Sequence, residues 1–253
     1  MLDSSDGQSV NLLIEYPDTD GEPMTESDPT RHYLVYCVEA LRRFFQSRPK
    51  VYVSGNLFIY YQEGDVSKQI SPDVFVVFGV SKRDRRSYKT WEESGKCPAF
   101  ILEITSQSTR KKDEVEKPAL YAELGVEEYF QFDPTGDYLR PQLKGQRLVN
   151  GVYQPIAPNT LIATTGEEIT SLHSQTLGLD LRLLPPTLLN PAAFLGLAPA
   201  RPALRLFDPS TGEPLLTYAE SEQARQEAEQ ERDRAEQARD QAEQARDQAE
   251  QAR

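Results

Sequence analysis

Two acidic residues stand inside two apolar runs, and these runs constrain the fold more than any other feature of the chain. Asp73 lies in the run 71–78 and Glu103 in the run 99–106. The length of each run and its β-branched and aromatic content indicate a buried strand. A buried acid requires a paired charge, a hydrogen-bond network or a metal. On strands that lie side by side, these two carboxylates would meet the requirement of a divalent-cation site.

The composition fits one large domain with appendages. The 253 residues carry a formal net charge of −12, which argues against non-specific attraction to nucleic acids or membranes but allows a local basic cleft. The two cysteines are too few for a disulfide framework. No apolar stretch approaches the ~20 residues of a membrane span, and the N-terminus lacks the basic and apolar regions of a signal peptide. We therefore expect a cytoplasmic protein.

Four segments are predicted along the chain. Residues 1–30, rich in Asp, Pro and Ser, are expected to form a flexible arm. Residues 31–185 hold the main domain, and residues 186–218 are expected to wrap around its core and to include a turn. Residues 219–253 are expected to form a long helix or a weak coiled coil.

Periodicity predicts the elements of the main domain. Apolar residues recur at helical spacing over 31–46, and a second helix is predicted between Thr109 and Gly125, which suits a C-terminal cap. The pattern also predicts strands at 51–53, 57–61 and 128–132, a turn at 133–136 and a hairpin at Asn150-Gly151.

The last segment contains a seven-residue repeat. Alanines at positions 235, 238, 242, 245, 249 and 252 alternate spacings of three and four, which is a heptad seam with Ala at both core positions. Alanine favours the helix but buries little area, so self-association through this seam would be weak. A solvated single helix and a self-associating helix both remain open.

The order of elements matches the needs of metal-dependent phosphodiester hydrolysis. Two carboxylates hold Mg²⁺ through hard oxygen ligands, and the ion activates a water and stabilises charge on the phosphate. A lysine beside them offsets developing negative charge. Asp73 and Glu103 fit the ligand role, and Lys117 fits the role of the cation. Taken alone, Asp73 also fits a turn acid, and Glu103 a structural partner of Arg110 or Lys117.

A longer set of motifs resembles a known family. The chain is similar to the Uma family of restriction-endonuclease-like proteins, of the PD-(D/E)XK nuclease superfamily, over roughly residues 30–185. The matching positions are Ser71-Pro72-Asp73, residues 102–109, Asp113, Lys117, Tyr121, residues 124–126 and residues 128–134. The resemblance implies an α/β fold with a mixed central β-sheet flanked by helices, to which this chain adds the C-terminal Ala-rich heptad helix. It also implies the metal role of Asp73 and Glu103.

The chain departs from the superfamily pattern at one position. The strand motif places lysine two residues after the glutamate, where this chain has Thr105. The resemblance implies that the cation comes instead from the following helix, which points to Lys117, although Pro118 after it would bend that helix. Lys111 and Lys112 are the fallback candidates.

Basic residues are grouped near both carboxylates in the sequence. If they flank the site, they would form a phosphate-binding rim for DNA; the alternative is a pair of solvated loops. The candidates are Arg83, Arg85, Arg86, Arg110, Lys111 and Lys112.

Two functions are therefore expected from the sequence. The first is a DNA endonuclease that depends on Mg²⁺, with Mn²⁺ as a substitute. The second is a non-catalytic interaction protein that keeps the fold and forms a homo-oligomer through residues 219–253. Thr105, Pro118 and the acidic net charge motivate the second.

Overall fold

The computed structural model describes residues 14–19, 27–107, 109–190 and 201–251. In these residues the chain forms three α-helices, which are α1 Asp28–Phe44, α2 Lys117–Glu123 and α3 Tyr218–Gln251. The strands of the same residues are β1 Val51–Ser54, β2 Ile59–Tyr60, β3 Gln69–Ile70, β4 Val74–Phe78, β5 Tyr88–Lys89, β6 Phe100–Ile104, β7 Glu128–Phe132, β8 Leu143–Val149, β9 Val152–Pro155, β10 Asn159–Ile162, β11 Glu168–Ser174, β12 Leu179–Leu184 and β13 Ala203–Phe207.

A mixed six-stranded sheet lies at the centre, in the order β1-β4-β6-β7-β8-β9. The β6–β7 pair is parallel, and the other four strand pairs of this sheet are antiparallel. A four-stranded sheet, β10-β11-β12-β13, and a three-stranded sheet, β3-β2-β5, accompany it. The predicted α/β class with a mixed central sheet is confirmed.

The central sheet buries a separate apolar cluster on each face. On one face, Leu41 of α1 packs with Leu102 of the central sheet and Leu181 of the four-stranded sheet. On the other face, Tyr121 of α2 packs with Ile101 of the central sheet and Ile59 of the three-stranded sheet. Alternate residues of β6 thus contribute to opposite faces, as the strand period of two requires.

The helix α1 begins three residues before the predicted start and ends two before the predicted end. Ser27 caps it, since its Oγ accepts a hydrogen bond from the Thr30 amide at 3.3 Å, and Pro29 suits the first turn. The periodicity of apolar residues does not indicate this start, because none of the apolar residues of the helical pattern lies in the first turn, Asp28 to Thr30.

A π-helical turn, Lys112–Glu116, leads into α2. The Lys117 amide donates to the Lys112 carbonyl, five residues back, which inserts one residue relative to an α-helix. Pro118 comes just after the π-helical turn, so its missing amide falls where the α-helical hydrogen-bond pattern is already interrupted. The predicted C-terminal cap is confirmed, since Gly125 follows the helix with a φ of 73°.

Part of the predicted arm contacts the domain. The Tyr60 hydroxyl donates to the Pro17 carbonyl at 2.6 Å, and the Gly64 amide donates to the Tyr16 hydroxyl at 2.7 Å. Residues 1–13 and 20–26 of the arm lie outside the described residues. Further along, β13 pairs with β12, so the four-stranded sheet spans the predicted boundary at residue 185.

The long helix α3 is anchored at its first turn and exposed beyond it. Arg205 of β13 forms a bidentate ion pair with Glu220, at 2.7 and 3.1 Å, with both side chains buried. Thr217 and Glu220 form a reciprocal capping box. Residues 223–242 are exposed. Among the described residues, no helix is both long enough and apolar enough to cross a membrane.

Candidate metal and active site

Strand pairing places the two predicted carboxylates opposite each other. Asp73 immediately precedes β4, Glu103 lies in β6, and the two strands are antiparallel with Val74 opposite Leu102. One step along this register, Asp73 faces Glu103. Both side chains therefore extend from the face of the sheet that α2 covers.

Hydrogen bonds connect the two acids to the opposite strands. The Ile104 amide donates to Asp73 Oδ2 at 2.7 Å, and the Asp73 amide approaches Glu103 Oε2 at 3.4 Å. On the helix side, the Tyr121 hydroxyl donates to Glu103 Oε1 at 2.6 Å. Glu103 is 1% exposed, whereas Asp73 is partly open to solvent. The pair thus consists of a buried acid, Glu103, and a more accessible one, Asp73.

Lys117 reaches this pair from the start of α2. Its Nζ lies 3.0 Å from Glu103 Oε1 and 2.7 Å from Asp113 Oδ1. Burial by itself would lower the pKa of Lys117, but the contacts with Glu103 and Asp113 raise it above the ordinary value. Lys117 is therefore an ammonium that bridges two carboxylates.

Asp113 is a third acid of the cluster, and it lies in the π-helical turn. Its side chain is fully buried, and neither oxygen makes a hydrogen bond of ordinary geometry within the described residues, despite the close approach of Lys117. The Tyr129 hydroxyl donates to the Asp113 carbonyl at 2.8 Å. Tyr129 on β7 thus holds the π-helical turn that carries Asp113 and leads into Lys117.

The electrostatics of the cluster disfavour a second bare charge at Asp73. Removal from water raises the pKa of Asp73 well above its usual value, and the negative charge of Glu103 raises it further, against the opposing Ile104 amide and Lys117. Burial and the neighbouring Glu103 also raise the pKa of Tyr121, which remains a neutral hydrogen-bond donor. A proton or an additional cation would relieve the repulsion between the two carboxylates.

Two cavities border the cluster. The larger, of about 550 Å³, is lined by Asp73, Thr105 and residues near the start of α1. The smaller, of about 280 Å³, is lined by Lys112, Lys117 and Tyr121 together with residues of β3. The accessible edge of the site therefore faces the larger cavity at Asp73, and Lys117 borders the smaller one.

The residues present fit a hard divalent cation held by two protein ligands. Glu103 Oε1 is taken by Tyr121 and Lys117, while Asp73 Oδ1 accepts no hydrogen bond from the described residues. Within those residues no group of three His, Cys, Asp or Glu side chains is arranged to hold a metal. Asp73 and Glu103 would therefore complete a coordination shell with waters and substrate oxygens, as Mg²⁺ commonly does.

The structure gives the first basic stretch other partners. Arg83 and Arg85 each lie within 2.8 Å of Glu93, and Arg85 is buried against the Tyr52 ring. Arg86 pairs with Asp18 and is 88% exposed. None of the three arginines lines either cavity beside the carboxylates. Although these arginines follow Asp73 closely in the sequence, the fold does not place them at the edge of the site beside the two carboxylates.

The second basic stretch lies nearer the site. Arg110 pairs with Glu114 at 3.0 Å rather than with Glu103, and Lys111 is exposed. Lys112 lines the smaller cavity together with Lys117. Of the two predicted fallback lysines, Lys112 is thus the one that borders the cluster, and Lys117 itself makes the contact with Glu103.

Three residues of the cluster, Asp113, Tyr121 and Gln131, were not predicted as site residues from the sequence. Asp113, Lys117 and Tyr121 are spaced by four, so helical periodicity alone indicates that they share a face. Gln131 pairs with Glu103 in the parallel β6–β7 register, and its buried Nε2 has no partner among the described residues. The alternation of β7 signals only that Gln131 shares a face with Tyr129.

An α/β fold with opposed carboxylates and a lysine beside them is typical of the restriction-endonuclease-like class. The sequence model of the Uma2 family, described as "Putative restriction endonuclease", matches residues 12–182. The chain belongs to this family. The match begins inside the predicted arm, which agrees with the contacts of Tyr16 and Pro17.

A solved structure also resembles the chain. It is described as a putative nuclease belonging to DUF820 from Anabaena variabilis ATCC 29413, with 14% sequence identity and a TM-score of 0.40. The similarity covers 56% of this chain and 74% of the other. No curated protein matches the chain.

Proposed function

We propose that the protein is a metal-dependent endonuclease that hydrolyses phosphodiester bonds in DNA. The observation that carries the proposal is the opposed pair Asp73 and Glu103 with the Lys117 ammonium 3.0 Å from Glu103. The description of the Uma2 family supports the same reaction class. The PD-(D/E)XK assignment is part of this proposal, with the cation supplied from α2 in place of the strand.

Asp73 and Glu103 would hold Mg²⁺, with Mn²⁺ as a substitute. When bound, the metal supplies Lewis-acid stabilisation of the phosphate and lowers the pKa of a water. Asp73 is the ligand that is open to the larger cavity, so substrate would approach from that side. Tyr121 and Lys117 hold Glu103 in place, since both contact its Oε1.

Lys117 acts as a charge-stabilising donor in this proposal. Its raised pKa keeps it protonated at neutral pH, so it cannot accept a proton from water. An ammonium beside the reacting phosphate offsets developing negative charge and orients a water by hydrogen bonding. Asp113 shares the ammonium and restrains its position.

DNA is the proposed partner, and the basic residues are proposed to contact its backbone. Lys112 lies nearest to the cluster, because it lines the smaller cavity that Lys117 also borders. Lys111, Arg110 and the arginines 83, 85 and 86 remain candidates for more distant phosphates. The four arginines among them pair with carboxylates in the structure, so each would have to leave its carboxylate to bind a phosphate.

The direct test is cleavage of a complex mixture of duplex and single-stranded DNA with Mg²⁺ or Mn²⁺. The wild type is expected to cut, whereas Asp73→Asn and Glu103→Gln should each lose activity, because both changes remove a ligand charge while preserving shape. Glu63→Gln, a change at an exposed acid, is the matched control and should cut normally. Cleavage that survives both site changes would refute the assignment.

A second candidate function is a non-catalytic interaction protein that assembles through α3. The observation in its favour is the attachment of this helix to the domain by the buried Arg205–Glu220 pair, while residues 223–242 face solvent. A helix of 34 residues extends about 50 Å. A helix that is attached at its first turn and exposed beyond it presents its heptad seam to a second copy in a defined direction.

Truncation after Gln226 tests assembly, because it keeps the anchored first turns. The second candidate predicts that the full chain has a higher mass in light scattering than a monomer and that truncation reduces it to the monomer. Equal masses per chain for the two forms would eliminate assembly through α3.

A further inference from the structure

The larger cavity beside Asp73 is a neutral, hydroxyl-rich cleft. The described residues that line it include no lysine and no arginine. Apart from the carboxylate of Asp73, its polar side chains are uncharged, and they are those of Ser27, Thr30, Thr105, Ser106, Gln107, Thr109, Thr135 and Tyr138. A DNA backbone that enters at Asp73 would therefore meet neutral hydrogen-bond donors there, and not positive charge.

Thr105 differs from several of these neighbours in having a spare donor. It is 1% exposed, and its Oγ1 has no hydrogen-bond partner within the described residues. By contrast, the hydroxyls of Ser27 and Thr30 contact each other at 2.9 Å, and the Thr135 hydroxyl donates to Asp133. A buried hydroxyl without a partner is unfavourable, so its presence needs an explanation.

The backbone holds Thr105 firmly at the end of β6. Its amide donates to the Phe132 carbonyl at 2.7 Å, which continues the parallel ladder of β6 and β7 by one residue. Because side chains two apart share a face of a strand, Thr105 lies on the same face as Glu103. In the nuclease superfamily that this chain resembles, the lysine of the strand motif occupies this position.

We infer that Thr105 is a substrate-positioning residue, whose hydroxyl donates a hydrogen bond to a phosphate oxygen of DNA bound in the cleft beside Asp73. The inference rests on the proposed function for the identity of the ligand. The catalytic charge comes from Lys117 on α2, and the strand position is left with a neutral donor that binds the backbone. Such a contact adds affinity without releasing counterions, so it does not weaken with salt as an ion pair does.

The experiment measures binding of a fluorescent 12-nucleotide single strand by anisotropy in Ca²⁺, at two salt concentrations. Thr105→Val keeps the β-branched shape and removes the donor, and it should raise the Kd about tenfold, as expected for a hydrogen bond to a charged group. The ratio of variant to wild-type Kd should be the same at both salt concentrations. Thr105→Ser should bind within about twofold of the wild type, because it restores the hydroxyl.

Two further readouts separate positioning from a structural role. Removing a buried hydroxyl that has no partner should leave the Tm of Thr105→Val unchanged or raise it, whereas loss of a structural contact would lower the Tm. Thr160→Val, at an exposed threonine of β10, is the control and should change neither Kd nor Tm.

The outcomes distinguish this inference from the proposed function. Equal Kd values for the wild type and Thr105→Val would overturn the inference, as would a Thr105→Ser variant as weak as Thr105→Val. Binding with the expected Thr105 pattern but without cleavage in Mg²⁺ or Mn²⁺ would contradict only the nuclease activity. Absence of DNA binding by the wild type would overturn both.

Discussion

Glu103 shows how a nearly buried carboxylate is accommodated in this protein. It receives a hydrogen bond from Tyr121 and an ion pair from Lys117, and Asp73 stands opposite it. Glu103 and Asp113 share the ammonium of Lys117, and Asp73 adds a third carboxyl group to the cluster. Burial, and after it the negative charge of Glu103, raise the pKa of Asp73. A divalent cation would offset the repulsion between the two carboxylates and is therefore consistent with the local electrostatics.

Lys117→Met tests the role of the ammonium at the residue scale. The variant keeps an unbranched side chain, one atom shorter, and removes its charge, so DNA cleavage should fall by about 10²–10³-fold, the range seen when one preorganised donor is removed. Single-turnover cleavage rates measure the effect. Lys50→Met, at an exposed lysine outside both cavities, is the control. A Lys117→Met enzyme as fast as the wild type would exclude a catalytic role.

Asp133 provides a pH test of stability. Its buried carboxylate accepts hydrogen bonds from the amides of Thr135, Gly136, Tyr138 and Leu139 and from the Thr135 hydroxyl. Burial opposes ionisation, but these donors prevail and lower the pKa of Asp133. Asp133→Asn should destabilise the fold by about 1–3 kcal/mol at pH 7, because an amide presents fewer acceptors to the same donors.

The sign of the pH effect follows from the lowered pKa. The carboxylate contributes its full stabilisation above the unfolded pKa of about 3.9, and that contribution is lost as pH falls through the lower folded value. The gap in unfolding free energy between wild type and Asp133→Asn should therefore narrow below about pH 4. Urea unfolding at several pH values measures the gap; a constant gap would contradict this account.

At the scale of elements, local sequence signals predict strands and turns better than they predict the site. The strand at 128–132, the hairpin at Asn150-Gly151 and the cap at Gly125 follow from patterns within a few residues. The π-helical turn follows only in part, because Pro118 predicts a disturbance of the helix at this place but not an inserted residue or the contact of Lys117 with Glu103. The partners of Arg83 and Arg85 are also set by tertiary packing.

The connection after β1 positions Asp73 through close backbone contact. A Cβ on Gly55 would lie 2.1 Å from the Asp73 carbonyl oxygen, and the Asn56 amide donates to the Pro72 carbonyl at 3.0 Å. Only glycine leaves room for this approach. The loop thus holds the segment that presents the carboxylate of Asp73.

Gly55→Ala should therefore impair the site without altering a reacting group. The methyl group must displace the Asp73 backbone, so we expect a loss of about 1–3 kcal/mol in stability, as for other overpacked positions, and at least about tenfold slower cleavage. Gly64→Ala is the comparison, because its Cβ would meet open space although its φ is 87°. Equal cleavage by Gly55→Ala and the wild type would show that the contact is dispensable.

At the scale of the whole molecule, one buried ion pair joins the long helix to the domain. Arg205 also donates to the Leu215 carbonyl and to the Tyr36 hydroxyl, so strand β13, helix α1 and the chain before α3 meet at one guanidinium. The heptad pattern predicts α3 but not this attachment. The pairing depends on residues whose burial becomes apparent only in the fold.

Glu220→Gln should destabilise the protein much more than the loss of an exposed pair. Removing one partner of a buried ion pair costs about 3–5 kcal/mol, whereas Glu222→Gln removes an exposed pair with Arg225, which is worth at most about 1 kcal/mol. Urea unfolding followed by circular dichroism compares the two variants. Similar effects from both changes would mean that the Arg205–Glu220 pair does not anchor α3.

Binding of Mn²⁺ to the metal-free protein tests the central claim most directly, because it needs no substrate. Calorimetric titration of the wild type, Asp73→Asn, Glu103→Gln and the control Glu63→Gln would count the sites. We expect one site in the wild type and in Glu63→Gln that is lost or weakened at least about tenfold in the two site variants, because each loses one of two charged ligands. Identical Mn²⁺ binding by all four proteins would contradict a metal site at Asp73 and Glu103.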